Sequence, residues 1–169
     1  LSGAGVVIGG AIDATKNLAE KLDAPVCSGY QHNDSFPGSH PLAVGPLGYN
    51  GSKAAMELIS KADVVLALGT RLNPFSTLPG YGIDYWPKNA NIIQVDINPD
   101  RIGLTKKVTV GISGDAKLVA EQILQKLSLT AGDIDRQPRK DLIHQTKSAW
   151  LQKLSSLDHE DDDLSLIHI

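Results

Sequence analysis

The sequence predicts an α/β fold of the doubly wound kind, with a mainly parallel sheet, a Rossmann-like or DHS-like nucleotide-binding domain. Two observations carry the prediction: short apolar runs alternate with stretches of helical period, and those runs are continuous rather than polar at every second residue. Continuous runs indicate strands buried on both faces, as in a parallel sheet covered by helices on each side.

Taken in order, Val6-Val7-Ile8 reads as a first buried strand ending in Gly9-Gly10. A helix follows from about Asp13, whose carboxylate can cap the free N–H groups of a first turn, with Leu18, Ala19 and Leu22 on one face. Asp23-Ala24-Pro25 ends it, and residues 25–28 form a second strand. Ser52 is placed to cap a helix over 53–61 with Ala55, Leu58, Ile59 and Ala62 inward. Residues 63–69 are the clearest strand, 91–96 a fourth and 108–112 a weaker fifth. Asp115 can cap a helix over 116–127 with Leu118, Val119, Ile123 and Leu127 inward, and a last helix runs from Pro138 to about Leu154.

At 169 residues the chain suffices for one domain of ordinary size, and 41% apolar with 21% charged residues is ordinary for a globular chain. Sixteen basic against nineteen acidic residues, with no dense basic cluster, excludes nucleic acid as the main partner. The longest aliphatic stretch, residues 64–68, is far short of the ~20 residues that cross a bilayer, so no membrane partner is expected. A single cysteine, Cys27, excludes an internal disulfide framework and points to a reducing cytoplasm. Leu1 is not an initiator methionine, and nothing at the start resembles a signal peptide, so a fragment of a longer protein is expected. The last six residues, 164–169, follow an acidic run and read as the in-frame translation of a sequencing adaptor; a native C-terminal strand is the alternative.

Two connections are unusually long. Residues 29–51 and 71–90 are rich in Gly and Pro, and both follow a strand, which brings them to the carboxyl edge where ligands of open α/β sheets bind. They suit either a ligand or packing against neighbouring domains. At the same edge Gly9 and Gly10 form a strand-to-helix turn suited to an anion, although G-x-G-x-x-G is not matched. Arg71 can hold a phosphate or carboxylate through paired hydrogen bonds, and Asp96 can accept from ribose hydroxyls. These four are the candidate cofactor-binding residues. Cys27, His32, Asp34 and His40 match no zinc spacing, so no metal site is expected, and no acid, base and nucleophile assemble, so no catalytic residue is named.

The runs HPLAVGPLGYNGSKAAMELI (40–59), ADVVLALGTRLNPFSTLPGYGIDYWP (62–87), IIQVDINP (92–99) and GDA (114–116) resemble the central domain of thiamine-diphosphate-dependent enzymes. The 73–87 version is similar to the sulfoacetaldehyde acetyltransferase family in particular. The resemblance implies a three-domain, oligomeric enzyme that acts on a small molecule, with thiamine diphosphate and Mg2+ held by the flanking domains of the same chain. It implies that 1–130 is the central domain, that 131–163 is a helix and acidic linker toward the next one, and that the fragment alone is inactive. The implied overall reaction converts sulfoacetaldehyde and phosphate to acetyl phosphate and sulfite, a step in sulfonate degradation. In acetolactate-synthase-like and carboligase relatives this domain binds FAD or ADP, and Arg71 matches an arginine of those flavin enzymes. Their nearby charged residues are replaced here by Asn73-Pro74-Phe75-Ser76, which counts against flavin.

Overall fold

The computed structural model describes residues 1–129 and 135–156. Its helices are α1 (Ala4–Ile8), α2 (Ile12–Leu22), α3 (Lys53–Ser60), α4 (Ala116–Leu129) and α5 (Gln137–Ser155). Its strands are β1 (Val26–Ser28), β2 (Ala43–Pro46), β3 (Val64–Leu68), β4 (Asn91–Asp96) and β5 (Val110–Ser113). β1 pairs with β2, β3 with β4 and β4 with β5, all parallel.

Residues 1–3 join the two halves. The Ser2 amide donates to Cys27 O at 3.0 Å on one side, and Gly3 N donates to Leu68 O at 3.1 Å on the other. Gly29 N and Leu68 N return bonds to Ser2 O and Leu1 O at 2.8 and 2.9 Å, which completes a short parallel ladder. Counting this segment as the first line, the sheet runs third, second, first, fourth, fifth, sixth, the order of doubly wound dinucleotide-binding folds. The order reverses between residues 1–3 and β3.

Alternation along β3 divides the core. Val65 and Ala67 pack on the side of α3 and α5 with Met56, Ile92 and Ile143, while Leu66 and Leu68 face α1, α2 and α4 with Val6, Leu18, Val95 and Ala120. Both faces of the sheet are therefore covered. Ser52 caps α3 as expected, its Oγ accepting from Ala55 N at 3.3 Å. Asp115 Oδ1 likewise accepts from the amides of Lys117 and Leu118.

Several expectations change. The supposed strand at 6–8 is helical: Val6 is fully buried and Ile8 is 85% exposed, a contrast between positions two apart that a helical turn produces here. The central strand position belongs to Leu1-Ser2-Gly3, too short and small to register as an apolar run. α2 starts at Ile12 after Ala11, so Asp13 lies inside its first turn rather than capping it. β2 falls inside a stretch expected to be structureless, because Gly45 (φ +91°) and Pro46 mask it; Pro46 is tolerated because β2 is an edge strand. Leu118 points outward, and Ala116 and Ala120 take the inward positions on α4.

α5 is fastened to the rest of the chain by more than its apolar residue Ile143. The last carbonyls of a helix lack intrahelical partners. At the end of α2, Arg136 Nη1 donates to Lys21 O, and Arg139 Nη1 donates to Leu22 O at 2.8 Å. Lys140 pairs with Asp23 at 3.2 Å, and Lys147 Nζ donates to Pro41 O at 2.8 Å. Partial burial of this ammonium lowers its pKa. Residues 157–169, with the acidic run and the supposed adaptor remnant, lie outside the described residues.

Candidate functional site

At the switch point the carboxyl ends of the strands open into a crevice of about 570 Å3. At its floor the turns after residue 3 and after β3 pass one another with almost no side chain between them. A Cβ on Gly3 would lie 2.5 Å from Thr70 Cβ, and one on Gly5 would lie 2.7 Å from Gly69 Cα. Gly69 itself has φ +59°, and its carbonyl accepts from Gly5 N at 2.8 Å.

Of the four predicted residues, Gly9, Arg71 and Asp96 line this crevice and Gly10 does not. Gly10 adopts φ +61° with open space where a Cβ would stand, so its role is the turn between α1 and α2. Gly9 is needed for a different reason: a Cβ there would come within 3.0 Å of an Asp115 carboxylate oxygen and 2.9 Å of Gly5 O. The strand-to-helix glycine turn of this fold is Gly3-Ala4-Gly5, ahead of the Gly9-Gly10 pair expected from the sequence.

Arg71 is exposed, and among the described residues no carboxylate lies within ion-pair distance of it. Its backbone is firmly held. Thr105 Oγ1 donates to Leu72 O at 2.8 Å, and the amide of buried Leu72, at φ +53°, donates to Thr70 Oγ1. Beneath them Gln94 is almost wholly buried; its Nε2 donates to Thr70 O at 3.0 Å and Arg101 O at 3.1 Å, and its Oε1 accepts from Gly103 N at 2.9 Å. One amide thus ties the end of β3 to the turn after β4, which carries Arg101 to the same crevice. Asp96 is buried, with Oδ1 accepting from Asn98 N at 2.9 Å.

Arg101 and the bracing Gln94 were missed from sequence. Arg101 sits in an Asn-Pro-Asp turn that no motif marks, and Gln94 has the character of an ordinary strand residue. At the rim, Tyr30 stacks on Phe75 at 5.6 Å, and Ser76 Oγ accepts from Tyr30 N at 2.8 Å. Behind the crevice, burial pushes the Tyr85 hydroxyl up to about 12 and the Cys27 thiol up as well.

Two guanidinium groups and a carboxylate in one cleft suit an anion carrying hydroxyl groups. The donor set does not suit a metal-bound diphosphate. Asp115 is engaged as the α4 cap, and among the described residues no three His, Cys, Asp or Glu side chains gather as a metal site.

The profile of the family "Thiamine pyrophosphate enzyme, central domain" matches residues 1–124. The chain is 82% identical over 163 residues to the "Probable sulfoacetaldehyde acetyltransferase" of Rhizobium meliloti (strain 1021), covering 96% of this chain and 28% of that protein. It is 77% identical over 163 residues to the sulfoacetaldehyde acetyltransferase of Roseovarius nubinhibens, covering 96% and 27%. The X-ray structure of a "putative thiamin diphosphate-dependent enzyme" from Mycobacterium smegmatis superposes with a TM-score of 0.58 at 29% identity, over 73% of this chain and 23% of that one. The chain therefore spans little more than a quarter of the curated relatives' length. Matched over residues 1–124 of 169, with an α/β sheet closed on both faces, this chain belongs to the thiamine pyrophosphate enzyme family as a central domain.

Proposed function

We propose that the chain is the central domain of a sulfoacetaldehyde acetyltransferase, which converts sulfoacetaldehyde and phosphate to acetyl phosphate and sulfite. The observation that carries this reading is the 82% identity over 163 residues to the Rhizobium meliloti protein of that name. Carbon–sulfur bond cleavage and acetyl transfer to phosphate balance without an external oxidant or reductant. Thiamine diphosphate supplies the electron sink for such chemistry when bound, and on this reading it and Mg2+ are held by the flanking domains, because the donor set described above does not fit them. This chain's own contribution is position: a rigid, doubly covered sheet that sets its neighbours in place in a cytoplasmic homo-oligomer. Residues 1–130 make the domain proper, and 131–163 lead toward the next one, with α5 fastened back onto the first.

Gly9, Arg71 and Asp96 are proposed as contacts for an adenine nucleotide or flavin in the crevice. Arg71, Arg101 and Asp96 facing one cleft support this second reading, and the uncharged turn at Asn73–Ser76 counts against the flavin form. Sulfite release from sulfoacetaldehyde by the full-length protein, with thiamine diphosphate and Mg2+ and with or without phosphate, tests the first reading. Phosphate-dependent release is expected; pyruvate consumption without sulfite release overturns it. Chromatography of nucleotides extracted from the purified protein tests the second, and an empty extract after incubation with FAD and ADP removes it.

A further inference from the structure

A second cavity, a groove of about 510 Å3, lies between the end of α2, the turn at 40–42 and α5. Leu42 and Ile143, both buried, give it an apolar lining, and Lys147 stands among its polar groups. The two carboxylates of the groove are already engaged: Glu20 holds His40 at 3.0 Å, and Asp23 holds Lys140 at 3.2 Å and Arg136 at 3.5 Å. Neither lies within ion-pair distance of Lys147. The side chains of His144 and Ser148 line the same groove and have no hydrogen-bonding partner among the described residues. Lys147 Nζ is held by neutral acceptors alone, Pro41 O at 2.8 Å and, more loosely, His40 O at 3.4 Å. An ammonium carries three protons, and these carbonyls use two. Loss of the third costs no hydrogen bond, and the lone pair it leaves stands clear of both carbonyls. Partial burial without a counter-ion favours that loss. The result is a nucleophilic amine beside a cavity large enough for a small electrophile.

We propose that Lys147 is a modification site, acetylated in this groove by acetyl phosphate, with His144 and Ser148 donating to the phosphoryl oxygens. This rests on the sulfoacetaldehyde acetyltransferase reading only for the source of the acyl phosphate, which is the product of that reaction. In the step, the Nζ lone pair attacks the acetyl carbonyl carbon and a nitrogen–carbon bond forms. The carbon–oxygen bond to phosphate breaks, and the proton shed by nitrogen leaves with the phosphate as hydrogen phosphate. No oxidant or reductant enters. The acetylated nitrogen keeps one hydrogen and so holds one carbonyl instead of two. Accumulating product thereby weakens the fastening of α5 to the turn at Pro41.

The test incubates the full-length protein with added acetyl phosphate and follows acetylation lysine by lysine, by mass spectrometry of its peptides. Lys61 and Lys117, exposed and without an ion pair among the described residues, are the references. Lys147 is expected to react about fivefold faster than either, with the excess erased by denaturant. A native rate no higher than the references overturns the proposal, and so does an excess that survives unfolding, because the groove would then play no part. The exposed His144 supplies the second arm. His144→Ala is expected to slow Lys147 about threefold toward acetyl phosphate, leaving Lys61 unchanged, and to have no effect toward acetic anhydride, which carries no phosphate. Equal acetyl phosphate rates in parent and variant overturn the assignment of the groove as the binding site. Because the acetyl phosphate is added rather than made by the protein, failure of the proposed reaction and failure of this site are separable.

Discussion

Along α5, basic side chains close on carbonyls and carboxylates of their own chain: Arg136, Arg139 and Lys140 on the end of α2, and Lys147 on the turn at Pro41. At the carboxyl edge, Arg71 and Arg101 instead face a cleft, and the Tyr30–Phe75 stack faces outward. One flank is satisfied from within the sequence; the other leaves its arginines turned to the cleft without an ion pair among the described residues. The difference separates side chains that hold the domain's shape from side chains that do not. Substitutions along α5 should therefore change stability, and those at the edge should change association or binding while leaving stability nearly untouched.

The largest effect is expected on the satisfied flank. Ile143→Ala removes the buried anchor of α5 and should cost about 3 kcal/mol, read by denaturant unfolding followed through Trp150 fluorescence. Gln94→Leu is the sharpest probe of the boundary between the flanks. It leaves the buried Thr70 carbonyl, the part-buried Arg101 carbonyl and the Gly103 amide without their partner and should cost roughly 2 kcal/mol while loosening Thr70 and Arg71, seen as faster amide exchange at 70–72.

Tyr85→Phe deletes the hydroxyl that donates to Ser76 O at 3.0 Å and should cost about 1 kcal/mol at neutral pH. It also carries a pH signature. The folded-state value of about 12 lies above the ordinary 10, so the folded chain keeps this proton longer than the unfolded one. The contribution is intact below pH 10 and is lost as pH rises toward 12; unfolding titrations should show that decline in the parent and its loss in Tyr85→Phe. Burial acts in the same direction on Cys27, whose part of the alkaline decline should survive the substitution. Smallest in stability is Arg71→Ala, expected within about 0.5 kcal/mol because its guanidinium has no ion pair among the described residues. A loss much larger than that would erase the contrast between the two flanks.

What the sequence made legible follows the same division. β3, β4 and α3 are readable because burial on both faces leaves continuous apolar runs and because Ser52 marks a start with its own hydroxyl. Residues 1–3 are not readable, since a strand position built from Leu-Ser-Gly is defined by its neighbours' hydrogen bonds rather than by its own period. β2 is hidden by Gly45 and Pro46, which local rules assign to turns and only an edge position permits. In the crevice, Arg71 and Asp96 were legible from their places at strand ends. Arg101 arrives there only through the turn that Gln94 holds, a relation between residues seven apart that no local pattern expresses. Similarly, the fastening of α5 joins residues more than a hundred positions apart.

That last separation has a consequence in time. The carbonyls of Lys21 and Leu22 meet their arginines 115 and 117 residues later in the chain. At a synthesis rate of about 5–20 residues per second, the end of α2 waits on the order of 6–23 s for them, with the site of Ile143 open meanwhile. The ribosome thus holds this domain unfinished for much longer than its local helices need to form, and the nascent chain during that interval is the species most exposed to chaperones and to misassembly.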